Sequence, residues 1–290
     1  MVVDSPVPPN EPMRAQLLTG IGLATAVDRL ARSARQNLLL LDLVDPSERE
    51  VGDPIALAQI LGTFAGNELR GIASLRPSLV LEAGMDDAVL DPLLPYFAAI
   101  ETGLVKSPRV VVDRLWRRLA GAGKRAVIDR IEHSLWLRPA ELPSFSRVGD
   151  LTARPAVPRD LDVLVDAARA SLREEGRPDP SLGDPVGFRR WVQGRLPRAR
   201  VVEREGRVVF VGYVDVRRPD GWLVQGVYTW PDHRRRGVAL AGMAAIVEEA
   251  GSRGADHVQL AVVDGNDAAV RLYRRLGFEA FDELRTVLFA

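Results

Sequence analysis

The sequence predicts an α/β protein built as two modules, and three observations carry that reading. Its 290 residues reach the size at which a single hydrophobic core usually stops growing, ~250–300 residues. A Pro-rich change of composition between Arg138 and Pro155, RPAELPSFSRVGDLTARP, divides the chain. Strand-like and helix-like periodicities alternate on both sides of it, the pattern of an α/β fold. The expected organisation is a loose arm over residues 1–12, one module over 13–147 and a second over 148–290.

Composition narrows the class. Hydrophobic residues make up 47% and charged residues 27%, ordinary for a globular chain. The absence of cysteine excludes disulfides, thiolate metal sites and a cysteine nucleophile. Lys plus Arg equals Asp plus Glu at 39 each, so no net field draws the chain to a phosphate backbone, which argues against a nucleic-acid binder. No apolar run approaches the ~20 residues of a membrane helix. MVVDSPVPPNEPMR lacks the basic start and apolar centre of a signal peptide, so the expectation is a cytoplasmic protein with no membrane partner. His133, His233 and His257 have no metal-ligand spacing, so no metal site is expected.

In the first half, residues 13–36 read as helical, with Leu17, Ile21 and Leu30 among the apolar positions. Gly20-Ile21-Gly22 begins like a dinucleotide fingerprint, but no strand is predicted before it and the third glycine is missing. Asn37–Val44 is a buried element too short to type. Residues 68–83 suggest two strands joined near Arg76-Pro77, and 87–100 a helix. GLVKSPRVVVDRLWRRLAGAGKRAVIDRIEHSLWL reads as strand, helix and strand.

The second half opens with a strand at 151–157, then a helix starting at Pro158 with Leu161, Leu164, Val165 and Ala168 at helical spacing. After the loop EEGRPDPSLGDP comes a second helix through Trp191. Strand signals at 200–204, 208–216 and 222–229 form a meander. A helix at 237–250, a strand at 257–263, a helix at 268–276 stopped by Gly277 and a strand at 285–289 complete the module.

The chemically informative segment is GVYTWPDHRRRGVALAGMAAIVEEA, in which a strand ends at Thr229, a basic loop follows and a helix begins near Gly237. A helix start leaves about four N–H groups unpaired, and with the helix dipole these favour an anion such as a pyrophosphate. Gly237 and the small Ala239 keep side chains out of its way. Arg234-x-x-Gly237-x-Ala239 resembles the Q/R-x-x-G-x-G/A signature of the GNAT N-acetyltransferases. About 30 residues on, VQLAVVDGNDAAVRLYRRLGF resembles the same family's strand, N-x-x-A-x-x-x-Y and LGF ending, with Asn266 and Tyr273 at the family positions.

The resemblance covers roughly residues 150–290 and implies a GNAT fold: a mixed, mostly antiparallel central sheet flanked by helices. It implies acetyl-CoA as acyl donor. Val227, Tyr228 and Thr229 would meet the acetyl and pantetheine portions through backbone groups. Arg234, Arg235, Arg236, Gly237, Val238, Ala239 and Leu240 would surround the pyrophosphate, Asn266 would face the cofactor, and Tyr273 would protonate the departing thiolate. Residue by residue, Asn266 also reads as a helix cap and Tyr273 as a core residue. The first module resembles, more loosely, the degenerate GNAT-like module that precedes the catalytic one in two-module acetyltransferases, particularly around GLVKSPRVVVDRLWRRL. It lacks the phosphate loop, so no CoA is expected there.

One departure from the family stands out. The strands around Val258–Val263 and Trp222–Thr229 carry no carboxylate to act as base. Asp264 reads as base or turn residue, with the turn favoured by Asp-Gly. Glu174 and Glu175, in the loop region where GNAT substrates enter, read as recognising a cationic substrate or as a solvated helix end. Trp230 reads as core or as a wall of the substrate side. The expected activity is N-acetyl (or longer acyl) transfer to an amine of a small molecule or a protein. The alternative is a catalytically silent acyl-CoA-binding regulatory or scaffolding protein. A homodimer stays open.

Overall fold

The computed structural model describes residues 12–48, 58–144 and 151–290. The expected module boundary at 147/148, and all but the last residue of the expected arm, lie outside them. The chain packs as two compact units. Among the described residues, the first holds 12–46, 58–132 and 283–290, and the second holds 47–48, 133–144 and 151–282.

The first unit begins with β1 (Arg14–Leu17), α1 (Ile21–Ala31) and α2 (Ala34–Val44). There follow β2 (Gln59–Ala65), β3 (Glu68–Arg76), β4 (Val80–Leu81), α3 (Asp87–Leu90) and α4 (Leu94–Ala98). Strand β5 (Gly103–Pro108), helix α5 (Arg109–Gly121) and strand β6 (Ala126–Leu137) complete this stretch. β1 to β4 form an antiparallel meander in sequence order.

The reading of 13–36 as one helix is corrected: its first turn is strand β1, and Leu17 and Ile21 are exposed. A strand therefore does precede Gly20. It is an antiparallel edge strand, however, not the parallel strand of a dinucleotide fold. Asn37–Val44 is helical, with Leu38, Leu40 and Leu41 buried around more than one face. The helix expected over 87–100 is broken into α3 and α4, because Pro92 and Pro95 interrupt the hydrogen-bond ladder.

The second unit takes over within β6 at His133. It contains β7 (Ala153–Pro155), α6 (Leu161–Glu174), α7 (Pro185–Gly194), β8 (Ala199–Arg204), β9 (Arg207–Arg218) and β10 (Gly221–Thr229). α8 (Val238–Ser252), β11 (Val258–Val263) and α9 (Asp267–Arg275) lead into β12 (Glu279–Phe289). Strands run in the order β7-β8-β9-β10-β11, antiparallel except for the parallel β10–β11 pair. The sheet is mixed and mostly antiparallel, as expected.

Side chains alternate across β9 and load both faces of that sheet. Phe210 and Val214 join the core under α8, with Met243, Ile246, Val247 and the α9 residue Tyr273. Val211 and Tyr213 join the core under α6 and α7, with Leu164, Phe188, Val192 and Tyr228.

The last residues of β12 return to the first unit and pair antiparallel with β5 from Leu284↔Pro108 to Phe289↔Gly103. Phe289 is buried among Val105, Val111 and Trp116, with its ring 5.9 Å from that of Trp116. Phe289→Ala is expected to cost the first unit about 3–5 kcal/mol, read as a lowered urea midpoint. A loss below about 1 kcal/mol would show that the strand is not integral to this core.

Glu132 is buried in the same unit and accepts from Lys106 Nζ (2.6 Å), Arg130 Nε (3.1 Å) and Thr286 Oγ1 (2.7 Å). Burial alone raises its pKa, but Lys106, Arg130 and the Thr286 hydroxyl outweigh it and hold the carboxyl down to about 2. A depressed folded pKa contributes stability that is fully present above the ordinary carboxylate range and lost as pH falls from there toward 2. The first unit should therefore lose stability on acidification between pH ~4.5 and ~2, at up to ~1.4 kcal/mol per pH unit from this group. In Glu132→Gln that slope should flatten in urea titrations at pH 5, 4 and 3.

Candidate functional site

The site is built where β10 leaves its parallel neighbour. β10 pairs with β11 only from Trp222↔Val258 to Val224↔Leu260, although both strands continue, to Thr229 and Val263. A bulge between Gln225 and Tyr228 marks the departure, with Gly226 at φ 57, a left-handed conformation suited to glycine. Beyond it, the β10 backbone from Gln225 to Thr229 keeps its pairing with β9 at Tyr228 and Thr229 but has no register with β11. The opening this leaves can take the amides of an extended ligand.

At the end of β10, a turn at Pro231–His233 leads to Arg234, and Gly237 caps α8 with φ 77. No side chain caps this helix and its first turn carries no acid. The N–H groups of Val238, Ala239 and Leu240 precede the first bond into the helix, Ala241 N–H to Gly237 O at 3.0 Å. The contrast with α3 in the first unit is instructive. There the Asp86 carboxylate accepts from Val89 N–H at 3.0 Å and already fills the helix start with an anion.

The three arginines of the loop differ. Arg234 Nη2 donates to both oxygens of Glu174 (2.7 and 2.8 Å) and its Nε to Thr229 O (2.9 Å). Its guanidinium lies 5.5 Å from the Tyr228 ring centre, and Tyr228 Oη donates to Glu174 at 3.2 Å. Burial, with Glu174 adding to it, pushes the Tyr228 phenol up. Arg235 and Arg236 are exposed and make no ion pair among the described residues. Glu175 accepts from Ser171 Oγ at 3.2 Å and lies 3.7 Å from Arg177. Trp230 packs edge-on against Tyr228, ring centres 5.3 Å apart.

On the α9 side, Asn266 Oδ1 accepts from Ala269 N–H at 3.2 Å and so caps the helix. Tyr273 is buried in the core under α8 and meets Phe278 edge-on. Its hydroxyl has no hydrogen-bond partner among the described residues, and burial pushes its pKa up. Asp264 ends β11 in a turn with Gly265 at φ 83, and it also lies 3.0 Å from His133 Nε2, a pairing the sequence did not suggest. His257 sits between Asp256 (3.0 Å) and Gln259 (3.1 Å).

Sequence reasoning missed a second cluster at the bulge. A β-carbon at Gly226 would lie 3.0 Å from the Tyr213 ring and 3.8 Å from Arg195 Nη2. Arg195 pairs with Asp215 through Nε (3.3 Å) and Nη2 (2.6 Å). Its guanidinium covers Tyr213 at 4.0 Å and Trp191 at 4.9 Å from the ring centres. The one available signal was Gly226 itself, since a lone glycine inside a strand marks a bulge or a close approach.

Comparison with known proteins agrees with this geometry. Residues 164–278, which run from within α6 to just past α9, match the family model described as the Acetyltransferase (GNAT) family. A GCN5-related N-acetyltransferase from Sphaerobacter thermophilus superposes with a TM-score of 0.61 at 18% identity, over 96% of each chain. A Drosophila protein of known crystal structure reaches 0.69 at 14% identity, over 96% of this chain and 99% of its own. A tandem GNAT protein from the clavulanic acid biosynthesis pathway reaches 0.50 at 12% identity, over 95% and 98%. At these identities the likeness is one of fold, and it extends across both units.

Among curated proteins, a 158-residue stretch is 31% identical to a protein named pantothenate synthetase from Anaeromyxobacter dehalogenans strain 2CP-C. The chain spans about half of that protein's length, 52% of each. The family match on residues 164–278 thus takes in the loop at Gly237 and the helix of Tyr273, and it supports acyl transfer as the class of chemistry.

Proposed function

We propose that the second unit transfers an acetyl group from acetyl-CoA to an amine by direct attack. The observation that carries this reading is the uncapped start of α8 beside the opening between β10 and β11. The residues fit the donor. The N–H groups of Val238, Ala239 and Leu240, with Arg235 and Arg236 nearby, suit a pyrophosphate, and the released β10 backbone at Val227–Thr229 suits the pantetheine amides and the thioester carbonyl. Asn266 retains its Nδ2 donors after capping α9, and these suit a ligand carbonyl.

In the reaction, a neutral amine nitrogen bonds to the thioester carbon. Backbone N–H groups at the bulge hold the oxyanion, the C–S bond breaks, and the sulfur leaves toward Tyr273. The amine's proton passes to solvent and the departing thiolate, hydrogen-bonded by Tyr273, takes up a proton from solvent, so no covalent enzyme intermediate is required. Arg234 serves here chiefly to hold Glu174 and the end of β10 together. The first unit, whose α3 start is filled by Asp86, takes no part in donor binding.

The test is free-thiol release from acetyl-CoA over a panel of amines. Turnover with an N-acetyl product supports the enzyme; acetyl-CoA binding without turnover on any amine supports instead a silent acyl-CoA-binding protein.

A further inference from the structure

We infer that Arg195 is the acceptor-specificity residue, and that the amine acceptor carries a carboxylate close to its nitrogen, as an amino acid does. The inference rests on the acyl-transfer reading of the same site.

Position comes first. Gly226 is the exposed residue of the bulge at which β10 parts from β11, one residue before the backbone proposed to hold the acyl carbonyl. Arg195 Nη2 stands within 4 Å of where a side chain at Gly226 would begin. A bulkier residue there would be strained at φ 57 and would crowd Tyr213 and Arg195. The absent side chain thus keeps the arginine open to the same space as the acyl group.

Orientation comes second. Asp215 takes the Nε/Nη2 edge of the guanidinium, while Nη1 makes no hydrogen bond among the described residues. The Nη1/Nη2 end is therefore presented to a second carboxylate, the two-pronged geometry for which arginine is suited. The side chains of Arg195 and Asp215 are only 17% and 12% exposed, and the rings of Trp191 and Tyr213 flank the guanidinium. A group fixed in this way loses little conformational freedom on binding. Trp191, 52% exposed and stacked on Phe188 at 5.6 Å, offers an apolar surface beside it.

Charge comes third. Both oxygens of Glu174 are taken by Arg234 of the loop, and Asp215 is taken by Arg195. The available charge next to the bulge is the guanidinium end, which favours an anionic group on the acceptor.

The experiment compares acceptors that differ only in the carboxylate: glycine with glycinamide, and L-phenylalanine with L-phenylalaninamide and phenethylamine, each with acetyl-CoA and thiol-release detection. The acids are expected to be preferred in kcat/KM by at least about 10-fold. Arg195→Met should raise the KM for the acids about 10- to 100-fold, the worth of a charge-assisted pair, with a smaller change in kcat. Arg195→Lys should restore part of it, and the Kd for acetyl-CoA, measured calorimetrically, should stay unchanged and report an intact fold. Equal or better turnover of the amides in the unmodified protein, or an unchanged KM in Arg195→Met, overturns the inference while leaving acyl transfer standing. Absence of both acetyl-CoA binding and thiol release with every amine would instead remove the proposed function and the inference together.

Discussion

Tyr273→Phe is expected to lower kcat by about 100-fold or more, the ordinary worth of a positioned proton donor, while leaving the Kd for acetyl-CoA within a factor of about two. The hydroxyl is the only group removed, and it has no hydrogen-bond partner among the described residues, so the fold loses none. Its ring stays in the core, edge-on to Phe278. Because burial raises the phenol's pKa, Tyr273 remains protonated at any working pH and can donate to sulfur. The same shift makes full proton transfer to a thiolate unfavourable by itself, so the main contribution is a hydrogen bond to the charge that develops as the C–S bond breaks. Stopped-flow measurement of thiol release separates this from a binding defect. An unchanged kcat would return Tyr273 to a purely structural role.

Gly237→Glu is expected to weaken acetyl-CoA binding by more than about 100-fold, and the reason is local. At φ 77 any side chain costs about 1–2 kcal/mol, but a carboxylate at the start of α8 gains about 0.3–1 kcal/mol from the helix dipole. The variant should therefore fold with a modestly lowered Tm. Its carboxylate would occupy and repel where the pyrophosphate is proposed to sit, as Asp86 does at α3 in the first unit. Acetyl-CoA should raise the Tm of the unmodified protein and leave that of the variant unmoved. Equal ligand-induced shifts would place the donor elsewhere.

The parts of this protein that were legible in sequence are those whose physics is local. The strand end at Thr229, the glycine at 237 and the helix beyond it lie within a dozen residues, and all three are found where the pattern puts them. The strand–helix–strand of residues 103–137 was equally readable, because α5 buries Val111, Leu115, Trp116 and Leu119 on one stripe.

What could not be read depends on register and on distant partners. β1 is a four-residue, mostly exposed edge strand with little hydrophobic signal. β2 went unrecognised because its centre is Gly62, whose missing side chain lets Leu18, Leu69 and Phe64 close in. The parting of β10 from β11 is a property of pairing, and Arg195 meets Asp215, twenty positions further along the chain. The return of β12 to the first unit is the least local feature of all, since it pairs residue 289 with residue 103.

The measurement that tests the central claim most directly is calorimetric titration of the purified chain with acetyl-CoA at moderate ionic strength. A saturable single site, with one donor bound per chain and a negative heat-capacity change from the buried pantetheine, is the result expected. No heat of binding at donor concentrations up to 1 mM, roughly the upper end of ordinary substrate affinities, would contradict the assignment of the α8 start and the β10–β11 opening as an acyl-donor site.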